Sequence, residues 1–83
     1  MTNNNAPQAL ATLEHQAASA RLNYDTGTVD LLDTLGALRM VELAAEQARR
    51  AVVSQARAQG ITWQELADTL GVTRQAVQQR YAR

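Results

Sequence analysis

The side chains with the most binding chemistry lie near the end of the chain, in the stretch RQAVQQRYAR that begins at residue 74. Glutamine carries a donor and an acceptor on one planar amide, and arginine carries a planar fork of donors with a fixed positive charge. On a helix of about 100° per residue with Val77 inward, five polar side chains lie on or beside the outer face: Arg74, Gln75, Gln78, Gln79 and Arg80. Such a face is suited to hydrogen-bonding planar or anionic ligands.

The rest of the chain offers little for catalysis or metal binding. There is no cysteine and His15 is the only histidine, so the sequence lacks a cluster of metal-ligating residues. Asp30 and Asp33 lie in the first turn of a predicted helix, where the helix dipole explains them without catalysis. With no nucleophile beside a base and no phosphate-binding loop, we expect a protein that is not an enzyme and needs no cofactor or metal.

Two helix starts position the polar side chains. Thr62 stands three residues before Glu65, the spacing of a capping box, and this predicts a helix over residues 63–70. Thr73 is a second N-cap and predicts a helix over residues 74–82. The free amides at the start of that second helix, together with the helix dipole, can attract a phosphate.

The connection between these helices predicts a helix-turn-helix over residues 62–82. Gly71 accepts the positive φ of a sharp turn, Ala67 lets the second helix approach, and Val77 seats it. In this motif the second helix enters the major groove of DNA and the start of the first crosses the phosphate backbone. Glutamine and arginine can bond to adenine and guanine edges and to phosphates. We therefore expect DNA contacts from Gln64, Thr73, Arg74, Gln75, Gln78, Gln79 and Arg80.

Residues 60–83 resemble the helix-turn-helix of bacterial sigma factor region 4 and of the small regulators that share it. The shared pattern is an aromatic residue at the start of the first helix, a Leu-Gly-Val-Ser/Thr-Arg turn, and a valine followed three residues later by arginine. The matching positions here are Trp63, Leu70, Gly71, Val72, Thr73, Arg74, Val77 and Arg80. The resemblance implies a DNA-binding regulator. Nothing upstream resembles sigma region 2, so promoter melting is not implied.

The sequence before this motif predicts two longer helices, over about residues 7–22 and 29–59, separated by the loop signal NYDTGT. Pro7 fits the first turn of the first helix, and Thr28 can cap the second. Residues 1–5 are expected to be a disordered start, and residues 6–83 a single domain. The predicted fold is therefore all-α, with four helices and a C-terminal helix-turn-helix.

Apolar residues recur at spacings of three and four along the long helix and predict its buried face. They are Leu31, Leu35, Leu38, Val41, Ala45, Ala48, Val52 and Ala56, with a second strip at Leu32, Met40 and Leu43. We expect the first half of this helix to pack on the first helix and the second half on the C-terminal helices. Because a core of leucine, valine and alanine is thin in so short a chain, we also expect a homodimer through the long helix.

Charge is unevenly distributed although the formal net charge is zero. Residues 1–48 hold two arginines against six acids, whereas residues 49–83 hold six arginines against two acids. In the second half of the long helix, we expect Arg50 to pair with Glu46, four residues earlier. No long apolar run or signal-peptide pattern is present, so we expect a cytoplasmic protein without a membrane partner.

Three functions fit these features. The first is sequence-specific binding of double-stranded DNA by a small bacterial transcriptional regulator. The second is a protein-interaction module whose long helix and acidic front bind RNA polymerase or a sigma factor, with the DNA face weak or unused. The third is a plasmid-partition or phage accessory protein that binds DNA by the same motif. Salt-dependent binding to duplex DNA separates the second function from the other two.

Overall fold

The structure, a computed structural model, describes residues 5–25 and 31–82 of the 83-residue chain. The described residues form four α-helices and no strand: α1 (Ala6–Asp25), α2 (Leu31–Ala58), α3 (Trp63–Leu70) and α4 (Arg74–Tyr81). The predicted all-α class with four helices is therefore confirmed. α1 packs along α2, α3 packs against α4, and α4 also contacts α2. Within the described ranges, no helix has both the length and the apolar character of a membrane span.

The first helix differs most from its predicted bounds. α1 continues to Asp25, through residues that the sequence assigns to a loop. Asn23 and Tyr24 are exposed there, so the extension follows from adding residues to an existing helix, which costs far less than starting one. Of the predicted disordered start, only Asn5 is described, and its carbonyl accepts a hydrogen bond from the Ala9 amide at 2.9 Å. The predicted cap Thr28 and the first two residues of the predicted long helix, 29 and 30, lie outside the described residues.

The end of α2 follows the glycine signal in the sequence. Gly60 has φ of 88°, in the left-handed region that glycine adopts without a steric penalty. Its amide donates to the Arg57 carbonyl at 3.0 Å, and the Ile61 amide donates to the Ala56 carbonyl at 3.0 Å. These two bonds form the Schellman arrangement, which satisfies the last carbonyls of the helix and turns the chain toward α3.

The two short helices are capped as the sequence predicts. The Thr62 hydroxyl accepts from the Glu65 amide at 3.1 Å, while the Glu65 carboxylate accepts from the Thr62 amide at 3.0 Å, which completes a capping box. Gly71 has φ of 71° and ψ of 30°, the left-handed conformation expected for the turn. The Thr73 hydroxyl accepts from the Ala76 amide at 3.1 Å and caps α4.

α1 and α2 form an antiparallel hairpin. One polar cleft between them is lined by Asn5, Gln8 and Thr12 from the start of α1 and by Gln47, Ser54 and Gln59 from the second half of α2. α1 therefore packs beside the second half of α2 as well as the first, so the predicted division of α2 between its two neighbours is wrong. The second half contacts both α1 and the C-terminal helices.

The predicted buried face of α2 is also wrong for most of its large residues. Leu31, Leu32 and Leu35 are 60–78% exposed, and four more are about half exposed: Leu38, Met40, Leu43 and Val52. Of the predicted positions, Val41, Ala45, Ala48 and Ala56 are half-buried or buried. The seam that faces α1 consists of Thr34, Ala37, Val41, Ala44, Ala48, Ala51 and Gln55, at spacings of three and four. Small side chains let α1 approach closely along this seam, so the helix turns its alanines inward and leaves its leucines beside the contact.

The core consists of small side chains. Its buried apolar residues, among those that the structure describes, are six alanines and two valines: Ala6, Ala20, Ala44, Ala48, Val53, Ala56, Ala67 and Val77. The most enclosed are Ala67, with 0% of its surface exposed, and Val77, with 1%. Both lie where α3 meets α4, at the positions that the sequence assigns to the close approach of the two helices.

Candidate nucleic-acid interface

α4 carries most of the predicted contact residues, with Gln75 and Gln79 opposite the buried Val77 and with Arg74 and Arg80 at the two edges of the exposed surface. Val77 points inward and is buried, so that the opposite side of the helix faces solvent. Arg74, Gln75, Gln79 and Arg80 are exposed, and Gln78 is half-buried beside them. The structure therefore brings five of the seven predicted site residues together on a single helix of eight residues.

Thr73 and Gln64 occupy the starts of α4 and α3. The Thr73 hydroxyl is engaged in the N-cap of α4, and its carbonyl accepts the first intrahelical bond, from the Val77 amide at 3.1 Å. The amides of Arg74 and Gln75 precede that bond and point out of the helix end, where the helix dipole favours an anion. Gln64 is exposed and donates to the Asp68 carboxylate at 2.9 Å.

Glu46 of α2 holds the end of α4 in place. Its carboxylate receives Arg80 in a two-point ion pair, with the Arg80 Nη2 atom at 2.9 Å and the Nε atom at 3.2 Å. Arg50 donates to the same carboxylate at 3.1 Å, as the i,i+4 spacing predicts, and also to the Arg80 carbonyl at 3.2 Å. The Tyr81 hydroxyl donates to Glu46 at 3.4 Å. We call these four residues, Glu46, Arg50, Arg80 and Tyr81, the Glu46 cluster.

The charges of the Glu46 cluster keep its carboxylate ionised. Partial burial by itself opposes ionisation and raises the pKa of Glu46, but the hydrogen bond and positive charge of Arg80 outweigh it. The charge of Arg50 and the hydrogen bond from Tyr81 act in the same direction, so the pKa of Glu46 lies below its ordinary value. The pKa of Arg80 is raised by its hydrogen bond and ion pair with Glu46.

A second contact fixes the start of α3 against α2. The Arg57 guanidinium lies 4.5 Å from the centre of the Trp63 ring, in a cation–π arrangement, and donates to the Ile61 carbonyl at 2.7 Å. Trp63 is half-buried and, together with Val53 of α2 and Tyr81 of α4, lines a small groove. Trp63 therefore packs between the long helix and the α3–α4 unit, and the unit is held to α2 at both of its ends.

The structure adds residues that the sequence does not assign to the site. Glu46 lies 34 positions before Arg80, and no local spacing signals their contact. Arg49 lines a groove of about 310 Å³ together with Ala76, Gln79 and Arg80 of α4, so its charge lies next to the predicted contact face. The excess of arginine in residues 49–83 is the only sequence feature that points toward Arg49.

Comparison of the chain with protein-family models, with curated proteins and with solved structures gives no match. The geometry itself limits the chemistry of this face. α4 carries glutamine amides and arginine guanidinium groups on a short helix whose inner side is fixed by the buried Val77. At the start of the same helix, backbone N–H groups also point outward. Such an arrangement can form hydrogen bonds to planar groups and to phosphate oxygens.

Proposed function

We propose that the chain binds double-stranded DNA in a sequence-specific manner, with α3 and α4 acting as a helix-turn-helix in a small bacterial transcriptional regulator. The observation that carries the proposal is the orientation of α4. Its apolar side is fixed by the buried Val77, while Gln75 and Gln79 are exposed on the opposite side and Arg74 is exposed at its start. A rigid helix with outward amide and guanidinium groups is suited to the major groove.

Arg74 and Gln75 are proposed to read bases, and the start of α4 to bind a phosphate. The outward amides of these two residues and the dipole of α4 favour an anion close to the side chains. Thr73 contributes the cap that fixes this helix end. Gln78, Gln79 and Gln64 are proposed to add contacts along the groove and to the backbone that α3 crosses.

Arg80 is proposed to have two roles, as a phosphate contact at the flank and as an anchor of α4. Its ion pair with Glu46 orients the last turn of α4 against α2, yet the side chain remains 58% exposed. A phosphate near this flank would bind a guanidinium whose direction is already set, so less side-chain freedom is lost on binding.

The experiment begins with selection of bound duplexes from a random pool, followed by titration of the selected and a scrambled duplex at several salt concentrations. Arg74→Ala or Gln75→Ala should weaken binding to the selected duplex by about 1–3 kcal/mol and relax its preference at one base pair. Arg80→Ala should weaken both duplexes similarly and reduce the salt dependence by roughly one ion. Equal affinities for wild type, Arg74→Ala and Gln75→Ala would contradict the proposal.

Two controls separate contact from folding. Gln47→Ala removes a glutamine that is also exposed but lies in the cleft between α1 and α2, so it should leave DNA affinity unchanged. Glu46→Gln weakens the anchor of Arg80 without removing the arginine. If Glu46→Gln reproduces the full effect of Arg80→Ala, Arg80 acts only through the position of α4.

The same titrations separate this proposal from the other two predicted functions. A module that binds only RNA polymerase or a sigma factor would show little salt-dependent affinity for any duplex. A plasmid-partition or phage accessory protein would bind DNA through the same residues and would differ only in where its sites lie.

A further inference from the structure

One side of the α1–α2 hairpin carries an apolar stripe with a strict seven-residue repeat. Its members are Leu10, Ala17 and Tyr24 on α1 and Leu31, Leu38, Ala45 and Val52 on α2. The five larger side chains are 43–64% exposed, although they are leucine, tyrosine and valine. A repeat of seven keeps side chains on one side of a gently supercoiled helix, and it is the pattern by which helices pack into bundles.

The two halves of this stripe lie on the same side of the hairpin. The polar cleft marks the other side, where Gln8 and Thr12 face Gln47 and Ser54 across the seam. At about 100° per residue, the α1 and α2 members of the stripe both lie on the far side of the seam from that cleft. The hairpin therefore presents a two-helix apolar surface about as long as α1, which spans roughly 30 Å.

The centres of the two repeats lie at the same height. Side chains between residues 5 and 12 line the cleft with side chains between residues 47 and 59, so Ala9 lies roughly level with residue 53 in the antiparallel pair. Ala17 is eight residues further along α1, and Ala45 is eight residues back along α2, so these two alanines are also level. Ala17 and Ala45, the smallest members of the two repeats, therefore lie at the same level of the hairpin, with larger side chains above and below them.

Charges are arranged symmetrically about this point. Glu14 and Arg21 stand on either side of Ala17, and Glu42 and Arg49 stand on either side of Ala45, with a seven-residue separation in both cases. A second copy can be related to the first by a two-fold axis through this point, perpendicular to the helices. It would place the partner's Arg49 opposite Glu42 and the partner's Arg21 opposite Glu14. A two-fold axis along the helices would instead lay α1 on the partner's α2, with Glu14 opposite the partner's Arg49, so the edge charges are complementary in both arrangements.

We propose that two copies of this chain pair through the stripe into an antiparallel four-helix bundle, with the two-fold axis at the level of Ala17 and Ala45. The sequence predicts a homodimer through the long helix, and the structure shows which of its apolar side chains are exposed for this contact. The small central residues permit close approach of the helices, and the larger ones fill the layers on either side. The edge charges are complementary in this arrangement, and the second and third tests below distinguish it from a two-fold axis along the helices.

The dimensions of the chain agree with a missing partner. The radius of gyration is 15.7 Å and the extents are 48 × 29 × 18 Å, whereas a compact chain of this length has a radius of roughly 12 Å. No leucine of the described residues is buried in the single chain. Pairing through the stripe encloses Leu10, Leu38 and Val52 and gives the protein a core of large side chains.

This pairing also orients the two α3–α4 units. The unit docks on Glu46, Val53 and Arg57 of α2, roughly opposite the seam alanines that face α1. A two-fold axis perpendicular to α2 therefore carries both units to the same face of the bundle, opposite both copies of α1. The pairing does not rest on DNA binding, and each test below is made without DNA, so the two proposals can fail separately.

The first test compares two leucines of the same helix by sedimentation equilibrium. Leu38 lies in the stripe and is 45% exposed, whereas Leu43 is 46% exposed but lies roughly 140° further round α2. Wild type should sediment at twice the 9.1 kDa chain mass at micromolar concentration. Leu38→Glu should weaken dimerisation about 100-fold, and Leu43→Glu should leave it unchanged. A monomeric wild type, or equal behaviour of the two variants, would overturn the proposal.

The second test reverses the edge charges, which leaves the fold of each helix intact. Glu42→Arg alone and Arg49→Glu alone should each weaken dimerisation about tenfold, because each creates two repulsive pairs per dimer. The double variant restores opposite charges and should recover the affinity of wild type. If the double variant is weaker than both single ones, the antiparallel register is wrong.

The third test locates the axis with single cysteines, which is possible because the chain contains none. Ala17→Cys should react with its own copy across the axis when a short thiol cross-linker is added. Leu10→Cys should not, since the two cysteines would be about 21 Å apart along the bundle, whereas a mixture of Leu10→Cys and Tyr24→Cys chains should cross-link. Preferential cross-linking of Leu10→Cys chains with Val52→Cys chains would place the two-fold axis along the helices and overturn the proposal.

Discussion

The α3–α4 unit encloses Ala67 and Val77 almost completely, whereas the much longer α1–α2 hairpin has only alanines fully buried along its seam and leaves its leucines in solvent. The unit also closes its own helix ends, with a capping box at Thr62, a left-handed glycine at Gly71 and an N-cap at Thr73. The hairpin has long helices, but the side chains that are fully buried between them are small.

This difference separates two ways in which helices are specified. In the α3–α4 unit, signals within a few residues of each other fix both the helix bounds and the turn, so the local structure is nearly complete by itself. In the hairpin, helix propensity and small-residue packing fix the helices, but most of the large apolar side chains remain 43–78% exposed. The first region has an enclosed core with polar side chains outside, and the second leaves much of its apolar surface exposed.

The largest expected effect comes from enlarging the contact inside the α3–α4 unit. Ala67→Leu should destabilise the fold by about 3 kcal/mol, because a side chain with no exposed surface has no room for three more carbons unless α3 and α4 separate. Ala76→Leu makes the same change at an exposed position of α4 and should alter stability by less than about 0.5 kcal/mol. Urea denaturation measures both. Equal midpoints for the two variants would mean that the two helices are not closely packed.

Replacing one glycine in each region by alanine should change stability in opposite directions. Gly71→Ala should cost about 1 kcal/mol, because φ of 71° is unfavourable for a residue with a Cβ. Gly36→Ala should stabilise by about 0.5–1 kcal/mol, because alanine is the better residue within a helix. At neither position does a described atom, apart from the local backbone, lie within 4 Å of the added Cβ, so backbone conformation decides the sign. Thermal melts that shift in the same direction would contradict this reasoning.

The smallest expected effect concerns the junction of the two regions, at the Glu46 cluster. The pKa of Glu46 is lower in the folded than in the unfolded chain. Its contribution is therefore fully present above the unfolded pKa and is lost as the pH falls through the folded pKa. Glu46→Gln should lower the melting temperature by a few degrees at neutral pH, and this difference should shrink as the pH falls through the lowered pKa of folded Glu46, where the wild-type carboxylate also becomes protonated. A difference that stays constant between pH 7 and pH 3 would show that charge is not the cause.

The helix caps, the turn and the outward face of α4 are predictable from the sequence, whereas the contact that anchors α4 on α2 is not. The caps at Thr62 and Thr73 and the turn at Gly71 were predictable, because each depends on residues at most four positions apart. The outward direction of Gln75 and Gln79 followed from the inward position of Val77 on a regular helix. The anchoring of Arg80 by Glu46 was not predictable, because residues 34 positions apart meet only after α4 has docked on α2.

The sequence by itself determined the helical class, the four helices and the ends of the short ones, since periodicity and capping act over a few residues. Only the tertiary structure decided which side of α2 faces α1. Both the leucine strip and the alanine seam satisfy helical periodicity, so the pattern alone cannot distinguish them. The close approach of α1 selected the small residues Ala44 and Ala48 and turned Leu31, Leu35 and Leu38 away from the contact, because two helix backbones can come near each other only where their side chains are short.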